Sequence, residues 1–370
     1  MPILDAITIS GFKSIRAVEE LRLHDINIVI GPNGAGKSNF IEAFKFLHAI
    51  RQGRLQEYAA KAGGADRLLH FGAKETENLF LGISFKGGQH QYAILLNSDD
   101  ADGLVVAGES AYFSKSPGNE KPNGMGIRST GKEAGISGSQ WDPIFAHVRD
   151  HLTKWRLYHF HDTSSSSPMK KTAEVNDNRF LRPDGSNLAA FLYLLKQKHP
   201  ESYQLIRKSV QRVAPFFDDF ALEPLALNEN TIRLEWRHKK SDRYFDAASL
   251  SDGTLRFIGL ATLFLQPKAL RPSVILVDEP ELGLHPFAIT MFASILKQAA
   301  AETQVIVATQ SPHLLDHFSP EDVLVANQVD GATEFERLDS GRLSEWLEDY
   351  SLGQLWEKNE FAGRPAAYPR

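Results

Sequence analysis

The chain contains no cysteine. That excludes a disulfide framework, cysteine-ligated zinc fingers and iron–sulfur centres, and it leaves the redox compartment open. No apolar run approaches the ~18 residues of a membrane span, so no membrane partner is expected. The net charge of -5 provides no global basic field for a polyanion and leaves room only for local basic patches. No heptad pattern is sustained, so no extended coiled coil forms, and no internal repeat is present. The opening residues lack a basic region followed by a long apolar stretch, so no signal peptide is expected and the cytoplasm is the expected location. What remains is an ordinary globular composition over 370 residues, 42% hydrophobic and 24% charged, enough for two or three domains or one large one with insertions.

The most informative stretch is Gly31-Pro32-Asn33-Gly34-Ala35-Gly36-Lys37-Ser38. It follows the apolar strand Ile26 to Ile30 and opens a helix with Phe40, Ile41, Phe44, Leu47 and Ile50 on one face and Gly53 as its stop. Strand, glycine-rich loop and helix together are what a phosphate-binding loop requires. Glycines let several N–H groups converge on one anion, and the helix start adds its own N–H groups and dipole. Lys37 is placed to reach the β- and γ-phosphates of a nucleotide, and the Ser38 hydroxyl to ligate Mg²⁺.

A second half of the same site lies far along the chain. Val274 to Val277 is continuously apolar, as in a parallel strand covered on both faces, and ends in Asp278 and Glu279. Carboxylates at such a strand end sit where ligands bind in open α/β sheets. Asp278 is the candidate holder of Mg²⁺, and Glu279 the candidate to polarise the attacking water. A further strand, Gln304 to Ala308, ends in Thr309 and Gln310, so Gln310 or His313 is a candidate γ-phosphate sensor. Ser251 and Gly253 head an apolar helix (Leu255, Ile258, Thr262, Leu265) and offer a second anion site, which a second copy of the chain would close over the nucleotide.

Between these segments the signals are weaker. Ile7 to Ser10, Glu20 to Leu23, Leu79 to Phe85 and Gln91 to Leu96 read as strands. Ser114 to Gly138 reads as a long exposed loop, and Ser164 to Ser167 as a second flexible stretch. Asn187 to Val213 reads as two helices punctuated by Pro200. On the second of these, Arg207, Lys208 and Arg212 fit a nucleic-acid face, although a solvated face is the commoner use of such a cluster. Ile232 to Trp236 alternates like a half-buried strand, followed by a basic turn at Arg237 to Lys240. His159, His161, His313 and His317 match no familiar metal spacing.

Taken in order, these segments resemble the ABC-type ATPases, and within them the branch of RecF-like and structural-maintenance-of-chromosomes-like (SMC-like) heads. Ile9 to Ile15 resembles that branch's first strand and turn, and Ser38-Asn39 matches it where transporter ATPases carry Ser-Thr. Leu250 to Thr254 resembles the signature loop, Val274 to Glu279 Walker B, and Glu281 to Pro286 the D-loop. Tyr158 to Thr163 and Trp346 to Gly353 bring the chain nearer still to compact bacterial AAA_21-like ATPases with a RecF/OLD-like head. The resemblance implies an α/β P-loop ATPase head with a mixed central sheet, an antiparallel β lobe and a helical lobe. It would be laid out as residues 1–110 with Walker A, 111–230 with loops and helical lobe, and 231–370 with signature, Walker B, D-loop and switch.

The resemblance also implies ATP and Mg²⁺ as cofactors. Asn33 to Asn39, Lys13 and Ser14 would be nucleotide contacts, and Lys37, Glu279 and Gln310 catalytic groups. Two ATP-bound heads would sandwich two nucleotides, with duplex DNA or a separate nuclease or toxin as partners. Asp252 departs from the usual signature glycine, Gln310 stands at the switch-histidine position, and no glutamine near Leu69 to Lys74 matches the Q-loop. The missing cysteines and coiled coil exclude a zinc-hook tether.

Overall fold

The computed structural model describes residues 4–114, 123–126, 131–138 and 143–361. The chain opens as a hairpin of β1 (Leu4–Phe12) and β2 (Ile15–Arg22), followed by β3 (Ile26–Ile30). After the glycine-rich loop come α1 (Lys37–Arg51) and α2 (Leu55–Ala62). The apolar stripe expected of α1 is buried, and Gly53 follows its end with a φ of 69° that suits glycine. β4 (Asn78–Phe85), β5 (His90–Ser98), β6 (Leu104–Phe113) and β7 (Asn123–Gly126) join the hairpin in an antiparallel sheet of order β2-β1-β4-β5-β6-β7. Leu79, Leu81, Ile83 and Phe85 alternate inward along β4, so one face packs on helices and the other meets solvent.

The stretch read as a loop from Ser114 to Gly138 is therefore partly structured. Besides β7, Ala134 and Ile136 are buried, because Glu109 accepts hydrogen bonds from the amides of Gly135 (2.6 Å) and Ile136 (2.9 Å). Residues 115–122 and 127–130 of that stretch lie outside the described residues.

Next come α3 (Pro143–Thr153) and β8 (Trp155–Tyr158), then β9 (Ala173–Glu174), α4 (Leu188–Lys198), α5 (Pro200–Val213), β10 (Phe217–Ala221), β11 (Thr231–Ile232), β12 (Glu235–His238) and β13 (Tyr244–Asp246). Pro200 sits in the first turn of α5, where its missing N–H costs nothing. The alternating run Ile232 to Trp236 buries every second side chain as expected but splits in two: β11 pairs with β9, while β12 pairs with β10 and β13. The serine run is held in place: Ser167 Oγ donates to Asp162 O at 2.6 Å, and Ser164 N donates to Asp162 Oδ1 at 3.0 Å. Of the candidate basic residues, Arg207 lies 3.2 Å from Asp218 and 3.4 Å from Asp219, and Arg237 lies 3.5 Å from Asp218. Those two charges are spent within the fold.

The last third supplies α6 (Asp252–Leu265), β14 (Val274–Asp278), α7 (Pro286–Ala300), β15 (Gln304–Thr309), α8 (Pro312–Leu315), β16 (Val323–Val329), β17 (Ala332–Arg337), α9 (Ser340–Leu347) and α10 (Leu352–Lys358). The second six-stranded sheet has the order β17-β16-β3-β15-β14-β8, parallel throughout except for β17. Its apolar strands face two cores in alternation. Ile28, Ile30, Ile275, Val277, Val305 and Val307 pack with the helices α4 to α8. Val29, Val274, Leu276, Ile306 and Ala308 pack with α1 to α3 and the antiparallel sheet. Burial on both faces is why these strands read as unbroken apolar runs. Among the described residues no helix is long and apolar enough to cross a membrane.

Candidate nucleotide-binding site

Sheet order decides the site. β3, β15 and β14 are adjacent and parallel, with Ile30 paired to Thr309 and Ala308 to Asp278. The loop from Gly31, the Thr309–Gln310 step and the Asp278–Glu279 step therefore leave the same sheet edge side by side.

In the loop, Gly34 and Gly36 adopt φ of 83° and 96°. A Cβ on Gly36 would lie 2.0 Å from Thr333 Oγ1 and 2.7 Å from Ser14 Oγ, so β17 and the β1–β2 turn press on the loop from behind. A Cβ on Gly34 would meet nothing within 4 Å, leaving that side of the cradle open. Lys37 is buried, and its ammonium donates to Gly31 O (2.7 Å) and Pro32 O (3.0 Å). Burial lowers its pKa, opposed by the nearby carboxylates of Glu279, Asp278 and Glu281.

Three carboxylates converge opposite. Ser38 Oγ lies 3.4 Å from Asp278 Oδ2, while Asp278 Oδ1 is buried without a hydrogen-bond partner. Burial, and next the charge of Glu279, raise the Asp278 carboxyl. Glu279 leaves β14 with a φ of 41°, a left-handed conformation rare for glutamate, and its Oε1 accepts a hydrogen bond from Gln310 Nε2. Glu281 Oε1 accepts from Thr309 Oγ1 (2.5 Å) and Gln310 N (3.3 Å), and burial raises its carboxyl too. A buried, unpartnered aspartate oxygen beside a serine hydroxyl fits a hard divalent cation such as Mg²⁺ with oxygen ligands. The open glycine cradle beside Lys37 fits the phosphates.

The remaining expected residues fall in two groups. Asn39 Nδ2 donates to Ser14 Oγ (2.7 Å), which pairs with Thr333 Oγ1 (2.7 Å), so Ser14 and Asn39 are tied to the back of the loop. Lys13 pairs with Glu42 beside α1, and Asn33 is exposed at the loop tip. Ser251 and Gly253 stand apart: among the described residues no hydrogen bond or ion pair joins them to the loop. Ser251 is exposed and caps α6 through Thr254 N at 3.2 Å. Asp252 lies 3.6 Å from Lys170, and a Cβ on Gly253 would lie 2.3 Å from Gly283 O. His313 turns away to His317, with ring centroids 5.8 Å apart, and no metal-binding cluster occurs among the described residues.

Sequence reasoning missed Thr309, Glu281 and Thr333 as site residues, and set His161 aside. His161 follows the end of β8, which runs parallel to β14 with Tyr158 opposite Val277, and its charge acts to lower the Asp278 carboxyl. Arg256, buried in α6, fixes that segment by donating to Phe160 O (2.9 Å) and His161 O (3.1 Å). The signal for His161 was its place just beyond the short strand Trp155–Tyr158. Nothing local marks Thr333, which meets Ser14 only in the fold.

Comparison with known proteins finds the same fold elsewhere. The fold is similar to an SMC head bound to the C-terminal winged-helix domain of ScpA, with a TM-score of 0.62, 16% identity, and coverage of 92% of this chain and 99% of that one. It is also similar to a Pyrococcus furiosus SMC head with an extended coiled coil, bound to the C-terminal domain of ScpA (TM-score 0.55, 15% identity, 94% and 99% covered). The SMC head domain from Thermotoga maritima gives a TM-score of 0.50 at 15% identity, with 92% and 100% covered. No curated protein matches by sequence. The family model described as "AAA domain, putative AbiEii toxin, Type IV TA system" matches residues 26–103 and 127–316. With that match and this sheet, the chain belongs to the AAA_21 family and has the ABC-type ATPase head fold of the RecF- and SMC-like branch.

Proposed function

We propose that the chain binds and hydrolyses ATP with Mg²⁺, and that ATP draws two copies together as a switch in DNA metabolism or phage defence. The observation that carries this reading is the placement of Lys37, Ser38, Asp278, Glu279 and Gln310 on three neighbouring strand ends. Loop amides and Lys37 hold the phosphates; Ser38 and Asp278 hold the cation, which would neutralise phosphate charge and orient the terminal phosphoryl group. Glu279, steadied by Gln310, accepts a proton from the attacking water. His161, whose charge acts on Asp278, adds a polar group near the cation site. Ser251 and Gly253 make no hydrogen bond to their own loop and would reach the nucleotide of a second copy.

A second reading is favoured by the toxin-related family description and by the SMC heads that carry ScpA: an ATPase subunit whose nucleotide state controls a separate nuclease or toxin without itself acting on DNA. Phosphate release measured with and without duplex DNA separates the two. Stimulation by DNA supports the first reading, and hydrolysis indifferent to DNA supports the second. No hydrolysis by the folded chain under either condition contradicts both.

A further inference from the structure

A cavity of about 490 Å³ lies between the C-terminal half of α1 and β8, the edge strand of the parallel sheet. None of its lining residues belongs to the glycine-rich loop or to the strand-end carboxylates. Lys45, Arg54, Arg156 and Arg182 line it together with His48 and His159, and no aspartate or glutamate does. In a chain of net charge -5 that is a concentrated positive wall.

Only part of this charge is met nearby. Arg182 pairs with Asp177 at 2.5 Å, Arg54 lies a loose 3.9 Å from Glu57, and Lys45 makes no ion pair among the described residues. Burial and the charges of Arg156, Arg51 and Arg54 lower the His48 imidazole, partly offset by its bond to Leu152 O. Burial and Lys45 do the same to His159, partly offset by Asp184.

The wall also carries rings. The Arg156 guanidinium sits 4.9 Å from the centre of the Phe180 ring, and it is fixed by donating to Thr153 O (2.5 Å) and Trp155 O (2.8 Å). Phe180 is 39% exposed, a flat apolar face beside cations. Trp155 is buried, and its indole Nε1 has no hydrogen-bond partner. Exposed rings stack bases, and fixed arginines meet phosphates with directed N–H groups. The volume lies within the ~300–1,000 Å³ of small-molecule sites.

We infer that this cavity binds a nucleotide through its phosphate and base, either free or as the end of a nucleic-acid strand, at a site separate from the glycine-rich loop. Its occupant would touch the elements that carry the ATPase site. Lys45 lies about 12 Å along α1 from Lys37, at ~1.5 Å per residue. Leu276, also in the lining, stands on β14 just before Asp278.

The test uses the full-length chain carrying Lys37→Ala, so that binding at the glycine-rich loop is weakened and failure of the ATPase reading would not affect the outcome. The probes are free thymidine 5′-monophosphate, followed by calorimetry, and a fluorescein-labelled 5′-phosphorylated ten-nucleotide oligo-dT, followed by anisotropy at low salt. Binding of the monophosphate supports a free-nucleotide site, and binding of the oligonucleotide alone supports a strand end. In either case, adding Lys45→Glu with Arg182→Glu weakens binding by about tenfold or more. Phe180→Ala, at an exposed position, weakens it without reversing charge, which keeps the test valid should the charge-reversed variant not fold. Lys198→Glu, at the exposed end of α4, changes nothing. The inference is overturned if neither probe binds, if the cavity variants bind within twofold of the parent, or if Lys198→Glu costs as much as they do.

Discussion

Gln310 and Glu279 face each other across neighbouring strand ends, the amide of Gln310 donating to Oε1 of a glutamate held at a φ of 41°. A glutamate in this conformation, beside a strand-end glutamine and opening the turn to Leu282, points to a functional constraint. Glu279→Gln keeps the site's shape and removes the base. It is expected to lower kcat by about 10²–10⁴-fold while leaving ATP affinity within a few-fold. Phosphate release and equilibrium binding, measured on the same preparation, check both halves.

Lys37→Ala removes the buried ammonium and with it a charged hydrogen bond to phosphate, of the order of 1.5–3 kcal/mol. ATP affinity should fall by about ten- to a hundredfold or more, with the fold intact by circular dichroism. Persistent tight ATP binding by the folded variant would remove the loop from the nucleotide site.

Glu281 gives a pH-dependent signature. Burial raises its carboxyl above the ordinary glutamate value. An acid shifted upward contributes stability below its unfolded pKa and loses it as pH rises through the folded pKa. Glu281→Gln retains an acceptor for Thr309 and Gln310 and removes the titration. The melting temperature of the variant relative to the parent should therefore climb as pH is raised from 4 to 8. A flat difference would contradict the buried-carboxyl assignment.

Ser251 separates capping from a role toward a second copy. Ser251→Asp keeps an N-cap acceptor for Thr254 N, so the melting temperature should hold. The added charge, facing outward, should abolish ATP-dependent pairing. Gly253→Ala forces a Cβ to within 2.3 Å of Gly283 O, so it should lower stability by about 1–3 kcal/mol as well as pairing.

Much of this site was legible because its parts are local. The glycine-rich loop needs only glycines, a lysine and a strand before them, and Val274 to Val277 announces itself by being apolar on both faces. What could not be read was the meeting of distant segments. Ser14 with Thr333 and Arg256 with the Phe160 carbonyl are contacts made only in the folded chain, and so is the influence of His161 on Asp278. Local pattern also misled where it lacked a partner: the alternation from Ile232 to Trp236 was real, yet two different strands claimed its ends. Arg207 looked available until Asp218 and Asp219 folded against it.

The central claim is that ATP closes two heads over a shared nucleotide. Static light scattering on Glu279→Gln tests it most directly, because that variant should hold ATP without turning it over. The account predicts a 41.3 kDa monomer without nucleotide and a species of twice that mass with ATP and Mg²⁺, reverting when Lys37→Ala is added. A monomer at every ATP concentration would contradict it.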